Sequence, residues 1–378
     1  MALFPSSAAA RLLCASAAAL TAAALHPRGA GAVRVGSDGS AGPCVPPGQC
    51  TPPATTFSRV IAGPSPGQQW NTAGGFCGAF SVQHGALAFG AWISQDLVRK
   101  ANRDQDIPHH MHGDPTVGYE VMPSNVEYTA QKLRLRYSLW DSSQPSPQAP
   151  AYKRWLKAHL AAGHPIAWFP ICKGDSHVCY PDSCPNGGAC DHVEPMFGLF
   201  SNHALDDPTV YDDDWVLHAS DQDLMPYYRP LNSLDDSLAM NGNCKNAGAG
   251  FGKNEMYPCF DASVTYGLAV LGLDVNGTKQ SPLFPVSVST PGSAGEPNVR
   301  AGQPAVPLLA TLTVTGLTSG SSYVLYRYNG TALLPQGPPF SAGAESATPF
   351  TAKGASESLA DPTPFMSDTA VYWLATTA

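Results

Sequence analysis

The segment GGFCGAFSVQHGALAFG, residues 74–90, decides the fold of the first half of the chain. Its paired glycines favour a turn. Apolar residues and one histidine then recur at helical spacing, namely Phe80, His84, Leu87 and Ala88. The pattern predicts a helix whose first turn contains Cys77. The exposed N–H groups and the positive dipole end of a helix N-terminus stabilise a thiolate, which lowers a cysteine pKa. The alternative is a structural thiol buried under the helix start.

A second helix is predicted further along the chain, within residues 152–169. Trp155, Leu156, His159 and Leu160 form one helical face of this segment. Gly163 stands where a C-terminal cap belongs, and the apolar run from Pro165 has the composition of a buried strand. The sequence therefore predicts a helix that leads directly into a core strand.

Two later segments predict a strand hairpin. An apolar stretch follows His192, and residues 210–219 have the alternation of a return strand that ends at Ser220-Asp221. In an antiparallel hairpin the first residue of one strand faces the last residue of its partner. We therefore expect the Asp221 carboxylate to lie near the His192 imidazole and to accept a hydrogen bond from it. Taken alone, without Cys77, His192 is better interpreted as a loop histidine without a catalytic role.

These features together resemble the papain-like cysteine peptidase superfamily. Papain-type enzymes carry Cys-Trp-Ala-Phe-Ser at the nucleophile, and residues 77–81 are Cys-Gly-Ala-Phe-Ser. The Cys-Gly-Ala triplet and the strand entry Leu-x-x-Gly-x-Pro-Ile at residues 160–166 are similar to the double-glycine, bacteriocin-processing branch. The resemblance covers roughly residues 60–225. It implies an α+β fold in which a helix carrying the cysteine packs on an antiparallel sheet carrying the histidine and the aspartate.

The resemblance also implies roles for individual residues. Cys77 is the implied nucleophile, His192 the general base and Asp221 the residue that orients the histidine. Gly198 matches the glycine six residues after the family's histidine. Five other aspartates crowd the predicted hairpin and are alternatives for the third position: Asp206, Asp207, Asp212, Asp213 and Asp214.

The oxyanion donor departs from the family pattern. The family places a glutamine six residues before the cysteine, where this chain has Asn71; Gln69 stands eight residues before Cys77 and Gln68 nine before it. Either Gln69 serves, with Gly74-Gly75 as an insertion, or Asn71 serves from a tighter loop. The implied activity is hydrolysis of amide bonds in a peptide or protein substrate through an acyl-enzyme. Acyl transfer of the transglutaminase type uses the same triad, and the alternative outside enzymology is a catalytically inactive extracellular adhesion or binding protein.

The N-terminus predicts export. Arg11 precedes an Ala/Leu-rich run that reaches Leu25, which is typical of a secretory signal, with cleavage after Ala24 or Ala32. An organelle transit peptide is the alternative. We assign residues 1–32 to the signal and residues 33–56 to a Pro/Gly-rich linker or pro-segment, and expect a secreted, extracellular or endolysosomal protein. No later apolar run is long enough to predict a membrane span. The formal charge of -8, without Lys/Arg runs, excludes the footprint of a nucleic-acid binder.

Cysteine spacing supports export. Without Cys14 nine cysteines are left, and eight fall into short-range couples: Cys44 with Cys50, Cys172 with Cys179, Cys184 with Cys190, and Cys244 with Cys259. These eight are disulfide candidates whose connectivity spacing does not determine, and Cys77 is left single. Zinc is the alternative for Cys172, His177, Cys179, Cys184, Cys190 and His192, but the tight Cys-x2-Cys spacing is missing. We therefore predict no metal and no cofactor. The sequons at Asn276 and Asn329 predict N-glycosylation.

The C-terminal region has a different composition. From about residue 281 cysteine disappears, and residues 308–314 and 323–328 have strand alternation. The stretch 312–323 resembles the strand, turn and tyrosine corner of fibronectin type III-like sandwiches. We therefore predict a papain-like domain at residues 57–280 and a β-sandwich domain at 281–378, the latter a candidate for contact with a cell surface or a glycan.

Overall fold

The chain is described by a computed structural model that covers most of residues 51–378. The described residues are 51–62, 69–70, 75–101, 120–121, 125–141, 144, 148–168, 171–173, 189–191, 193–219, 226–232, 267–290 and 304–378. The predicted signal segment and most of the predicted linker therefore lie outside the described residues. So do His192, Asp221 and Asn71.

Within the described residues, the first half of the chain contains four α-helices: α1 (Cys77–Leu87), α2 (Gln95–Lys100), α3 (Val126–Lys132) and α4 (Ala149–Ala162). Helix α1 is buried almost throughout, from Gly78 to Ala86. Helix α4 ends as predicted, because Gly163 adopts the left-handed conformation with φ 87° that a C-terminal cap requires. Both predicted helices are thus confirmed, and α1 begins at Cys77 itself.

A seven-stranded antiparallel sheet lies beside these helices. Its strands are β1 (Phe57–Val60), β3 (Leu135–Leu139), β4 (Ile166–Trp168), β7 (Glu194–Ser201), β8 (Trp215–Ala219), β9 (Pro226–Pro230) and β10 (Gly267–Leu273). Their order is β3-β10-β4-β7-β8-β9, and β1 pairs with the second half of β7. Two short strands, β5 (Ile171–Lys173) and β6 (Ala189–Asp191), form a separate ribbon. Strand β7 lies in the interior of the sheet, where it pairs with β4 and β8 and also packs against helix α1.

The C-terminal region consists of further antiparallel strands. They are β11 (Leu283–Phe284), β12 (Val286–Ser289), β13 (Pro307–Leu308), β14 (Thr311–Thr315), β15 (Ser322–Asn329), β16 (Ser346–Thr351), β17 (Ser356–Ala360), β18 (Phe365–Met366) and β19 (Ala370–Thr377). One sheet has the order β11-β19-β15-β16, a second the order β12-β14-β17, and β13 pairs with β18. The described residues therefore form a mixed α+β structure in which most strands are antiparallel.

The N-terminal and C-terminal regions are joined through a shared sheet. Strand β2 (Ala91–Ile93), directly after α1, pairs with β19, so that Trp92 lies opposite Val371. One hydrophobic cluster contains residues of α1 together with Val288 and Trp373. The boundary predicted at residue 280 therefore falls between regions that share a sheet and one hydrophobic cluster.

One strand boundary differs from the prediction. The predicted return strand begins at residue 210, whereas β8 begins only at Trp215. The preceding residues form a turn in which the Asp214 N–H donates to the Tyr211 carbonyl at 3.1 Å. The Asp214 carboxylate in turn accepts from the Tyr211 N–H at 2.8 Å. A short polar side chain that bonds nearby backbone favours a turn over a strand.

Candidate functional site

Cys77 is the first residue of α1 and is partly exposed. Phe76 is the N-cap residue, and no side chain caps the helix start. The first helical hydrogen bond runs from the Phe80 N–H to the Phe76 carbonyl at 2.8 Å. The thiol thus lies where unpaired N–H groups and the helix dipole favour an anion.

The turn that leads into Cys77 is held by two buried polar side chains. Gln69 accepts a hydrogen bond from the Phe76 N–H through its Oε1 at 3.0 Å. Arg99 donates from Nη1 to the Gly75 carbonyl at 2.8 Å, and its guanidinium lies 4.4 Å from the centre of the Phe76 ring. A cation over an aromatic face is attracted by the ring quadrupole. These contacts therefore fix the positions of Gly75 and Phe76, the two residues that precede Cys77.

A chain of buried amides extends this support to the inner face of α1. Gln95 accepts from the Trp70 N–H at 2.9 Å and donates to Gln83 Oε1 at 3.1 Å. Gln83, on α1, donates to the Ile93 carbonyl at 2.8 Å. Since Trp70 follows Gln69 directly, these hydrogen bonds link the position of Gln69 to the helix that carries Cys77.

Two residues of a separate segment, Glu120 and Val121, lie against the glycines on either side of Cys77. A Cβ atom at Gly75 would stand 1.5 Å from Glu120 Oε1, and one at Gly78 would stand 2.4 Å from the Val121 carbonyl oxygen. At Gly78 the neighbouring atom is backbone, so only glycine permits the approach, and at Gly75 the backbone φ of 65° favours glycine. The sequence interpretation missed this segment, because no motif marks it; the two glycines beside Cys77 were the only signal.

Substituting Gly78 by alanine tests this close approach. The new methyl group would meet the Val121 carbonyl, and overpacking of this kind costs about 1–3 kcal/mol, offset in part by about 0.5–1 kcal/mol from the better helix propensity of alanine. We expect Gly78→Ala to lower the free energy of unfolding, measured by urea titration. Gly354→Ala is the matched control, since no atom lies within 4 Å of its Cβ position. Equal losses of unfolding free energy in Gly78→Ala and Gly354→Ala would contradict the close approach of Gly78 to the Val121 carbonyl.

The hairpin of β7 and β8 carries the segments that flank the other two predicted catalytic residues. Met196 lies opposite His218, so the start of β7 and the end of β8 share one end of the hairpin. His192 precedes β7 by two residues and Asp221 follows β8 by two, and both lie outside the described residues. The start of β7 and the end of β8, which flank these two residues in the chain, therefore lie at the same end of the hairpin.

Helix α1 and strand β7 are packed against each other. The rings of His84, on α1, and Phe197, on β7, have centres 4.8 Å apart. Gly198, the predicted family glycine, lies at a shift in the β7–β8 register, and a Cβ there would stand 2.8 Å from Leu217 Cβ. This close approach requires a residue without a side chain.

The five alternative aspartates lie at the opposite, closed end of the hairpin, between the end of β7 and the start of β8. Strand β7 has eight residues, which corresponds to a length of about 26 Å. Each aspartate with a described contact is engaged locally: Asp207 with Thr209, Asp212 with Asn232, Asp213 with Asn202, and Asp214 with Lys157. That length separates these five aspartates from the end of the hairpin where β7 begins, and the assignment of Asp221 to the third position stays a prediction.

A buried carboxylate–imidazole pair lies at the open end of the same hairpin. Glu194 Oε2 and His218 Nδ1 are 2.9 Å apart, and both side chains are fully buried. Glu194 stands two residues after His192. Sequence interpretation did not identify this pair, because its two members are 24 residues apart and meet only through strand pairing.

The predicted modification sites are described in part. The backbones of Cys172 and Cys190 lie directly opposite each other in the β5–β6 ribbon. The spacing had instead coupled Cys172 with Cys179 and Cys184 with Cys190. The other six disulfide candidates lie outside the described residues. Asn276 and Asn329, the two sequon residues, are both exposed.

The described groups around Cys77 are suited to nucleophilic chemistry, because a partly exposed thiol at a helix start lies beside a fixed side-chain amide. Within the described part of the chain, no three His, Cys, Asp or Glu residues are arranged to hold a metal ion. None of the described helices has the length and apolar character needed to cross a membrane.

Comparisons with protein-family models, with curated proteins and with solved structures gave no match.

Proposed function

We propose that this chain is a secreted thiol hydrolase of papain-like type that cleaves amide bonds in peptide or protein substrates. The observation that carries the proposal is the position of Cys77 at the first residue of a buried helix, with the Gln69 amide fixed one residue away by the Phe76 N–H. A helix start activates a thiol, and a fixed amide beside it is suited to stabilise an oxyanion.

The proposed reaction is acyl transfer to water. His192 takes the proton of Cys77, and the thiolate attacks the carbonyl carbon of the scissile amide. The Cys77 N–H and the Nε2 group of Gln69 donate to the oxyanion; Asn71 is the alternative donor. His192 then protonates the leaving amine, and water hydrolyses the thioester with His192 as the base. Asp221 orients the imidazole throughout.

The test of this proposal is alkylation of the non-reduced protein with iodoacetamide across a range of mildly acidic to mildly alkaline pH, followed by peptide mapping. We expect one adduct, on Cys77, formed well below the pH at which a thiol of ordinary pKa, about 8.5, reacts. If Cys77 reacts only as fast as free cysteine, or is not modified, the thiol is not activated and the proposal is wrong.

Replacing Gln69 by alanine should reduce turnover more than substrate binding. Loss of one oxyanion donor lowers kcat by about 10²–10³-fold in comparable sites, so we expect a fall in kcat with a small change in KM. Gln131→Ala is the matched control, because Gln131 is exposed and donates only to Tyr137 within its described contacts. A Gln69→Ala variant with unchanged kcat would assign the oxyanion role elsewhere, to Asn71.

The C-terminal region is proposed to be a β-sandwich of fibronectin type III-like form. Two observations support this assignment. Strands β14 and β15 are consecutive but belong to different sheets, and the Tyr323 hydroxyl accepts from the Thr318 N–H at 2.8 Å. That bond, from a strand tyrosine back to upstream backbone, is the pattern of a tyrosine corner. Such a module is a candidate for contact with a cell surface or a glycan.

The remaining parts of the proposal concern export and modification. Signal cleavage after Ala24 or Ala32, glycosylation at Asn276 and Asn329, and disulfides among the paired cysteines are proposed together with secretion or delivery to an endolysosomal compartment. An inactive adhesion protein on the same scaffold is the second candidate, and the tyrosine-corner bond in the C-terminal region favours it. The alkylation experiment separates the two, because an adhesion protein has no need of an activated thiol.

A further inference from the structure

Four nitrogen-bearing side chains come together at the C-terminal end of α4. They are Arg59 on β1, Arg136 on β3, His159 on α4 and His164 after the helix cap, and we call them the Arg/His cluster. His159 and His164 approach through their Nδ1 atoms at 3.1 Å. The two histidines are half-buried, and the two arginines are exposed.

The backbone explains how three elements meet here. The Val270 N–H donates to the Pro165 carbonyl at 2.9 Å, which brings the residue after His164 beside β10. Arg136 donates from Nη2 to the Leu271 carbonyl at 3.3 Å on that same strand. Arg59 Nη1 lies 3.3 Å from the Cβ position of Gly163. Both guanidinium groups therefore border the turn that carries His164.

The cluster has one sign of charge. Within the described residues, no carboxylate forms an ion pair with any of its four members. Two arginines are permanently charged, and the two imidazoles become cationic on protonation. In a chain of formal charge -8, a group of like charges gains stability when an anion lies between its members.

We propose that the Arg/His cluster binds an oxyanion of the sulfate or phosphate type. Each arginine offers planar N–H donors that match the oxygens of such a group, and protonation of one imidazole of the His159–His164 pair adds a further charged donor while the other accepts at Nδ1. The anion comes either from solution or from a sulfate or phosphate group on a larger ligand such as a sulfated saccharide.

The protonation of the two histidines sets the pH dependence of this site. Burial and the neighbouring His164 lower the pKa of His159 to about 4. Burial, then Arg136 and Arg59, lower the pKa of His164. Burial and the neighbouring positive charges therefore oppose protonation of these histidines, whereas a bound anion favours it. Binding is coupled to proton uptake, so affinity rises as pH falls toward the low pKa values of the anion-free site.

The experiment is a sulfate titration followed by the side-chain NMR signals of His159 and His164, at constant ionic strength set with chloride. Sulfate is the probe because it stays a dianion throughout the range. We expect saturable shifts, with binding about tenfold tighter at about pH 5 than at about pH 7. Arg59→Gln should weaken binding by about tenfold or more, and Arg136→Gln is the second variant should the first be unstable. Lys353→Ala, which removes an exposed cation between β16 and β17, should leave binding unchanged.

Each result of this experiment has one meaning. If a sulfated oligosaccharide gives the same shifts at lower concentration than sulfate, the anion belongs to a larger ligand; if it does not, the site takes the free ion. Shifts that chloride reproduces, or that persist unchanged in both arginine variants, overturn the proposal. A response to Zn²⁺ without a response to sulfate would assign the histidine pair to metal chelation instead.

Discussion

Replacing Cys77 by alanine should abolish the proposed amide hydrolysis and leave the fold intact. Loss of the nucleophile in a triad enzyme lowers kcat by about 10⁶-fold, which is below detection in an ordinary assay. The side chain is small and partly exposed, so its truncation leaves no large cavity. The measurements are hydrolysis of a peptide library and the free energy of unfolding in urea.

Cys77→Ser is the companion variant, because it keeps the size and hydrogen-bonding capacity of the side chain. A serine hydroxyl is a far weaker acid than a thiol, so we expect this variant to be folded and inactive as well. A Cys77→Ala protein that still hydrolyses peptides would exclude Cys77 as the nucleophile. A variant that instead fails to fold would show that Cys77 has a structural role under the helix start.

Local signals made the two helices predictable. The signals for α1 were the paired glycines and the apolar spacing that follows them in the sequence, and those for α4 were its amphipathic face and Gly163. These signals lie within one or two helical turns of the residues they determine. For this reason the placement of Cys77 in the first turn of α1 followed from the sequence.

The supports of the candidate site depend on long-range contacts instead. Arg99, Glu120 and Gln95 reach the Cys77 turn from segments that spacing does not connect with it. The position of the five hairpin aspartates was also beyond the sequence, because it depends on where the turn ends. Once β8 is seen to begin at Trp215, those residues belong to the closed end of the hairpin.

That closed end is stabilised by an ion pair that is almost entirely removed from solvent. Lys157, on α4, and Asp214, before β8, have side chains that are 1% and 0% exposed, and Lys157 Nζ lies 2.8 Å from Asp214 Oδ2. Lys157 also donates to the Thr209 carbonyl, and its ammonium lies 5.0 Å from the centre of the Tyr211 ring. The Leu231 N–H donates to the Asp214 carbonyl at 2.7 Å. The pair thus joins the helix, the hairpin turn and the segment after β9.

Asp214→Asn should therefore lower the free energy of unfolding by about 3 kcal/mol or more, because removing one partner leaves the other charge buried without compensation. Urea unfolding measures this loss. Adding Lys157→Met to the same chain should recover part of it, since the buried charge is then gone. Asp274→Asn is the control: its partner Arg134 also donates to the Leu334 carbonyl, and the Asp274 side chain is 52% exposed, so we expect a loss of about 1 kcal/mol at most. If Asp214→Asn costs no more than this control, the pair does not stabilise the hairpin, and α4 is held against the sheet by apolar packing alone.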